Sequence, residues 1–359
     1  MENTNQILIV IQRSNGDVFF SSSLIKSLYE RYNSPKIDLL INDDTYSIAN
    51  LIPYINKIYT FSYQEKKNNR WRQEKKIFTQ IYKKYDLSIS LTASDRSVLY
   101  ASIAGKKKIS AVELNNKKSW WKKILLTNYY YFDSFKHILV NNLESLKILK
   151  IDYESVNYPI KVSKKVISNV QISLKKKGIG DFIIFHPSAQ YSYKVYPKFL
   201  RNKLLRSLDK LGVPIVITGG AGNIDLNIKK ELPDLRNLYD FVGKTTLEEY
   251  FALSQLSLSY IGMDTLNMHI AASQNKPIFA IFGPTNIKMW SPWANNLKTG
   301  ASINKPIQNY DNITIFQASL PCVACGNAGC DNNKGRSECL YVINPLTIFN
   351  EVSQWYENL

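Results

Sequence analysis

Tyr260-Ile261-Gly262-Met263-Asp264-Thr265-Leu266-Asn267-Met268-His269-Ile270-Ala271-Ala272, followed by Pro277-Ile278-Phe279-Ala280-Ile281-Phe282-Gly283-Pro284-Thr285, decides how this chain folds. It reads as strand, polar turn, helix, strand and glycine loop. The apolar run 256–261 stops at Gly262, and Asp264 and Thr265 then stand where a helix is N-capped. Residues 268–272 continue as good helix formers, and the run 278–282 has the length and β-branching of a buried parallel strand. In an open α/β sheet, ligands sit beyond the carboxyl ends of the strands. Asp264, Thr265, His269, Gly283 and Thr285 gather at that rim. Amides at a helix start and in a glycine loop suit an anion, most simply a phosphate. The plainer alternative is that Asp264 and Thr265 only cap the helix and His269 is a satisfied, partly buried histidine.

Working outward, the same grammar precedes this stretch. A strand at 182–185 leads through a loop to a helix at 197–211, with Pro197 in the first turn, where proline is tolerated. Strand 214–218, loop Gly219-Gly220-Ala221-Gly222, helix 224–232, strand 238–242, loop Gly243-Lys244-Thr245 and helix 246–255 follow. The first half begins with an apolar strand at 7–11, the turn Gln12-Arg13-Ser14-Asn15-Gly16-Asp17 and a helix at 18–32. Its single glycine excludes a Gly-x-Gly-x-x-Gly dinucleotide fingerprint. Asp17 either caps that helix or faces a ligand as a general base. Further strands are expected at 37–41, 55–61, 87–91 and 138–140, and helices at 43–51, 97–104 and 143–149. Residues 151–178, with Tyr153 and Pro159, show no strong periodicity and read as the end of the first domain and a linker. The expected class is α/β, two doubly wound sheets facing across a cleft. The domains are placed at 1–165 and 166–345, with a terminal helix at 346–359 carrying Leu346, Phe349, Val352 and Trp355 on one stripe.

A chain of 359 residues with 45% hydrophobic content is long enough for two ordinary cores. No apolar run approaches the roughly 20 residues that span a bilayer. The N-terminal residues lack a basic segment followed by an apolar signal, so a cytoplasmic protein is expected. The net charge of +17, weighted toward the first half, draws nucleic acid, anionic lipid or an acidic substrate. Residues 63–84 are basic and amphipathic. Residues 106–126 include Lys117-Lys118-Ser119-Trp120-Trp121-Lys122-Lys123. A basic helix interrupted by paired tryptophans fits a membrane-surface segment, or a solvated helix with its tryptophans turned into the core. No DNA- or RNA-binding module is recognisable, so nucleic acid is not an expected partner.

All four cysteines fall in Cys322-Val323-Ala324-Cys325, Cys330 and Cys339. Such clustering without a secretory signal favours a structural metal over disulfides, with reduced thiols as an alternative. Four thiolates suit tetrahedral zinc before an iron–sulfur centre.

Over nearly its whole length the chain resembles glycosyltransferase family 9, the ADP-heptose:lipopolysaccharide heptosyltransferase type. The likeness runs through Ser14-Asn15-Gly16-Asp17-Val18, Tyr85-Asp86-Leu87, Asp95-Arg96-Ser97, His186-Pro187-Ser188 with Lys194 and Pro197, and Gly219-Gly220. It continues through Gly243-Lys244-Thr245, Asp264-Thr265 with Met268-His269-Ile270-Ala271-Ala272, and Phe282-Gly283-Pro284-Thr285. The resemblance implies a GT-B architecture and inverting, metal-independent transfer from ADP-heptose to a Kdo or heptose of the lipopolysaccharide inner core. The absence of an Asp-x-Asp pair agrees with catalysis without a cofactor.

By position, Asp17 is implied as the base on the acceptor hydroxyl and Lys194 as the charge that neutralises the departing diphosphate. Ser188, Asp264, Thr265 and His269 are implied to hold the diphosphate and sugar, with Thr245 toward the adenine. The Gly283 loop and Thr285 complete the donor side. The family often has glycine two residues beyond the aspartate; here Leu266 stands there. Gly222 replaces an acidic residue that usually meets the ribose, with Asn223 and Asp225 as substitutes. The implied partners are an ADP-sugar and a lipopolysaccharide precursor, met peripherally at the inner membrane. A family relative using another nucleotide sugar or acceptor, and a non-catalytic basic binding protein, are the alternatives.

Overall fold

Runs of consecutive apolar residues become strands buried on both faces, and these set the architecture. The computed structural model describes residues 4–152 and 158–359, apart from the side chains of Lys67 and Asn68. The expected linker residue Tyr153 lies outside the described residues. The chain divides into two units, Met1–Lys161 and Val162–Leu359. The first holds β1 (Gln6–Ile11), β2 (Lys36–Asn42), β3 (Ile55–Phe61), β4 (Tyr85–Ser90), β5 (Gly105–Glu113) and β6 (Asn128–Phe132). They are ordered β3-β2-β1-β4-β5-β6 and every pairing is parallel. Ile7 to Val10 of β1 have no exposed surface, as a strand between two parallel neighbours and two helical layers requires.

The second unit holds β7 (Ile183–His186), β8 (Ile215–Ile217), β9 (Leu238–Asp240), β10 (Tyr260–Met263), β11 (Ile278–Ile281), β12 (Ile307–Tyr310) and β13 (Ile313–Phe316). Their order is β12-β13-β11-β10-β7-β8-β9, parallel except for the β12–β13 pair. Its core joins Ile183 and Phe185 of β7, Leu204 and Leu208 of the Lys198–Asp209 helix, and Ile348 and Val352 of the Pro345–Glu357 helix.

Both sheets reverse direction once. In the first unit the chain proceeds β1 to β3 on one side and returns with β4 beside β1. In the second it proceeds β7 to β9 and returns with β10 beside β7. The crevices beyond the ends of β1/β4 and β7/β10 are therefore the topological switch points, where such sheets take their ligands. Gly262 makes the second crevice possible. Its φ is +154°, and a Cβ there would lie 2.2 Å from the carbonyl oxygen of His186 on the paired strand.

Several expected elements are corrected. Residues 138–140 belong to the Ile138–Ile148 helix, and the remaining strands are β5 and β6. Lys106, Lys107 and Lys108 hid β5 because they occupy its entry, while Ile109, Ala111 and Val112 carry the buried pairing. In β6, an edge strand, only Tyr130 is buried, too little for a periodic signal. The basic helix expected within 106–126 shrinks to Trp120–Leu125 behind a 3₁₀ turn. The supposed linker contains the Lys164–Lys176 helix, which buries Val170 and Leu174. Leu256 ends the Leu247–Leu256 helix rather than opening β10. On the terminal helix the buried stripe is Ile348 and Val352, and Leu346 is exposed.

Candidate active site

At the switch point of the first unit, Ser14 N-caps the Asn15–Arg31 helix and Asp17 closes a capping box on it. The Ser14 amide and hydroxyl donate to Oδ2 of Asp17 at 3.1 and 2.6 Å. Arg13 Nε lies 3.0 Å from Oδ1, and the guanidinium covers the Phe132 ring at 4.8 Å. Asp17 is 3% exposed. Burial raises its pKa above the ordinary carboxylate value, against the opposing pull of Arg13 and the Ser14 hydrogen bonds. Asp17 thus serves the helix start as the third-residue member of Ser14's capping box, and its raised proton affinity also suits a base.

The ends of β1 and β4 are tied at the same place. Gln12 donates its amide to Thr92 Oγ1 at 3.1 Å, and its Oε1 accepts from Arg96 Nε at 3.1 Å and Ser97 Oγ at 3.0 Å. Arg96 lies over the Phe61 ring at 3.7 Å and donates to the Tyr63 hydroxyl at 2.6 Å. Arg13 was not a sequence candidate, although its i, i+4 spacing to Asp17 was a readable signal. Gln12 gave none, since a lone glutamine has no pattern.

In the second unit, β10 delivers Asp264 and Thr265 to the crevice beside His186 of β7. Lys194 Nζ lies 3.4 Å from Oδ2 of Asp264, whose side chain is 3% exposed. Oδ1 of Asp264 and the hydroxyl of buried Thr285 have no hydrogen-bond partner among the described residues. Buried polar atoms are normally paired, so both point to a polar ligand. Thr265 occupies the N-cap of the Leu266–Ser273 helix, but its side chain makes no capping bond. The expected cap is thus only positional, and the hydroxyl does not satisfy the first-turn amides. The Tyr260 hydroxyl donates to the Met263 carbonyl at 2.7 Å, fixing the strand end.

His186 is the member sequence reasoning left out of the site. Burial pushes its pKa down to about 4, so it is neutral at physiological pH. Its Nδ1 lies 2.9 Å from Thr218 Oγ1 and 3.1 Å from Asn267 Nδ2, joining the ends of β7 and β8 to the helix after β10. Asn267 is therefore committed to His186. His269 is buried beside the Trp290 ring, and Ser188 is buried just past β7.

The remaining candidates lie farther out. Gly283 follows β11, and a Cβ there would meet Leu340 at 3.0 Å, so packing accounts for this glycine. Thr245 is half-buried past β9, two strands from β7. Its loop touches the glycine loop, because Gly243 donates to the Gly219 carbonyl at 3.0 Å. Asp225 accepts from the Gly220 amide at 2.8 Å, so this carboxylate is folded into the loop.

All four cysteines are free thiols, Cys339 buried and Cys322, Cys325 and Cys330 exposed. Burial pushes the Cys339 thiol up to about 11, assisted by Cys330 and Cys325 nearby. Among the described residues, no group of three or more His, Cys, Asp or Glu side chains is assembled to hold a metal ion.

Two α/β sheets, one wholly parallel and one parallel but for its β12 edge, each with polar and charged side chains gathered at its switch point, are the architecture of the GT-B class of sugar-transferring enzymes. Residues 75–317 match the sequence profile of Glycosyltransferase family 9 (heptosyltransferase), and the chain belongs to that family. It is 28% identical over 304 residues to lipopolysaccharide heptosyltransferase 3 of Escherichia coli, covering 79% of this chain and 85% of that one. E. coli ADP-heptose lps heptosyltransferase II shares the fold with a TM-score of 0.70 at 17% identity, over 98% of this chain and 99% of that one. E. coli heptosyltransferase WaaC with ADP gives 0.70 at 16%, with the same coverage. The chain is a glycosyltransferase, which sets aside the reading as a non-catalytic basic binding protein.

Proposed function

We propose that this enzyme transfers heptose from ADP-heptose to a Kdo or heptose of the lipopolysaccharide inner core, with inversion at the anomeric carbon. The observation that carries the donor side is the unsatisfied Oδ1 of Asp264 and hydroxyl of Thr285 on the rim where Lys194 stands. Family membership and the likeness to lipopolysaccharide heptosyltransferase 3 support the sugar and the acceptor.

In the reaction, Asp17 takes the proton of the acceptor hydroxyl as its oxygen attacks the anomeric carbon. The glycosidic bond forms as the bond to the diphosphate breaks. Lys194 offsets the negative charge that builds on the leaving phosphate, where a fixed cation acts most strongly. The first-turn amides after Thr265, with Ser188, hold the diphosphate, and Asp264, Thr285 and His269 orient the sugar. Thr245 receives the adenine end. No step requires a cofactor.

The cysteine segment stands apart from this chemistry. Its all-thiolate donor set and the nearness of Cys325 and Cys330 to Cys339 support a structural zinc held with Cys322. Elemental analysis of the purified protein tests this, and absence of zinc and iron ends it.

Among the described residues no helix is long and apolar enough to cross a membrane. The acceptor is lipid-borne, so the enzyme works in the cytoplasm against the inner-membrane surface, and its basic first half supports this location. Thermal shift with ADP, UDP, GDP and CDP tests the donor. Selective stabilisation by ADP, followed by ADP release from ADP-heptose only with a Kdo-bearing acceptor, is expected. Selective stabilisation by another nucleotide would replace the donor assignment.

A further inference from the structure

The short Trp120–Leu125 helix of the first unit is inverted relative to an ordinary surface helix. One of its two lysines, Lys122, is inside, while Trp120, Ile124 and Leu125 are outside. Lys122 has no exposed surface; its Nζ donates to the Ala93 carbonyl at 2.6 Å and to both oxygens of Glu113 at 2.8 Å, and lies 2.8 Å from Oδ1 of Asp95. A buried ammonium is tolerated only with such full pairing. Leu126, one turn on, is also buried. At about 100° per residue, Trp120 and Ile124 are then turned to the opposite face. They are 64% and 71% exposed, and Leu125 at the end of the helix and Leu114 in the turn that precedes it are exposed as well. The buried lysine thus fixes the orientation that presents the apolar residues to solvent.

Exposed lysines frame this apolar face. Lys117 and Lys118 precede the helix, and Lys123 donates to the Tyr131 hydroxyl at 2.9 Å while covering the Tyr129 ring at 5.3 Å. Trp, Ile and Leu flanked by lysines are what an interfacial segment places at the level of lipid headgroups. The positive rim supplies the complementarity to an anionic surface. We propose that this face is the surface by which the enzyme docks on an anionic lipid bilayer, with Trp120 and Ile124 entering the headgroup layer and Lys117 and Lys118 meeting lipid phosphates. The proposal rests on the lipid-borne acceptor read above, and it names the contact surface.

The test is co-sedimentation of the full chain with vesicles of phosphatidylethanolamine and 30% phosphatidylglycerol, roughly the charge that makes each lysine count. Binding that weakens with salt is expected, with Trp fluorescence quenched by brominated lipid. Exchanging Trp120→Ser and Ile124→Ser together is expected to weaken partitioning more than about tenfold, given the apolar area withdrawn. K117E with K118E is expected to weaken it by roughly tenfold or more at low salt. Circular dichroism and transfer to a water-soluble acceptor fragment remain unchanged in these variants, which separates failure of docking from failure of the activity. Wild-type protein that ignores these vesicles, or W120S/I124S protein that binds them as tightly as wild type, overturns the proposal. So does light scattering showing that the double substitution dissociates an oligomer while vesicle binding persists, because a second copy of the chain then covers the face.

Discussion

Arg13 and Asp17 stand one helical turn apart with Nε and Oδ1 3.0 Å from each other, in a place where the carboxylate is almost wholly buried. Burial raises the proton affinity of Asp17, and the guanidinium opposes it. A base must be ionised to act, so kcat/KM is expected to fall as pH drops through the raised pKa of Asp17, above the ordinary value of about 3.9. Arg13→Gln removes the opposing charge and is expected to move that acid limb to higher pH, while Arg13→Lys moves it less. An acid limb that stays put in Arg13→Gln would detach Asp17 from the profile.

Asp17→Asn follows from the same burial. It is expected to abolish transfer and to leave ADP binding intact. In the folded chain Asp17 holds its proton more tightly than in the unfolded chain. Its contribution to stability is therefore complete below about pH 3.9 and is lost as pH rises through the raised value. At pH 7 the ionised form is a cost to the fold, so Asp17→Asn is expected to keep or raise Tm. A variant that loses turnover together with several degrees of Tm would assign Asp17 to structure alone.

His186 carries the opposite sign. Its pKa falls to about 4 on folding, against about 6.5 in the unfolded chain. Stability is full above pH 6.5 and is lost as pH falls toward 4, by about 3 kcal/mol in order of magnitude. Tm measured from pH 7.5 to 4 is expected to fall steeply below 6.5. His186→Asn, which preserves a polar atom near Thr218 and Asn267, is expected to flatten that slope. An unchanged slope in the variant would place the acid sensitivity elsewhere.

Much of the fold was legible because buried parallel strands are written as unbroken apolar runs. Residues 7–11 and 278–282 read directly as strands for that reason. The sheet was misread where charge or exposure masks the run, as at Lys106 to Lys108 in β5 and in the edge strand β6. The Lys164–Lys176 helix escaped because only Val170 and Leu174 are buried among its lysines and polar residues. Within the candidate site, Asp264 and Thr265 were legible from the break between strand and helix. The tie from His186 to Thr218 and Asn267 was not, since three distant segments meet only after the sheet has formed. The turning of Trp120 away from the core was equally hidden. It depends on Glu113 and Asp95 reaching the same lysine from two other segments.

Gly262 offers a test of the second crevice. Gly262→Ala puts a methyl group 2.2 Å from the His186 oxygen and demands a φ of +154° from a residue that resists it. Strain and overpacking together are expected to cost about 3 kcal/mol or more. In a unit of this size that lowers Tm by roughly 6–12 °C. Gly180→Ala is the control, because nothing lies within 4 Å of its added Cβ. The control is expected to be neutral or slightly stabilising. Equal Tm values for the two variants would show that β7 and β10 can part without penalty.

Lys194 and Asp264 can be separated as a working pair or a structural one. The 3.4 Å contact joins a lysine about one-quarter exposed to a carboxylate that is almost fully buried. Lys194→Ala leaves that carboxylate unpaired, which is expected to cost about 1–2 kcal/mol after screening at the lysine end. If Lys194 also offsets charge on the departing diphosphate, kcat is expected to fall by about 10²–10³. Stability and turnover are then decoupled by Lys194→Ala with Asp264→Asn. The neutral amide no longer needs a counter-ion, so Tm is expected to recover while kcat stays low. Recovery of both would make the lysine only a partner for the aspartate. Recovery of Tm alone, with the single variant Asp264→Asn keeping most of its turnover, would show that the lysine acts on the leaving group.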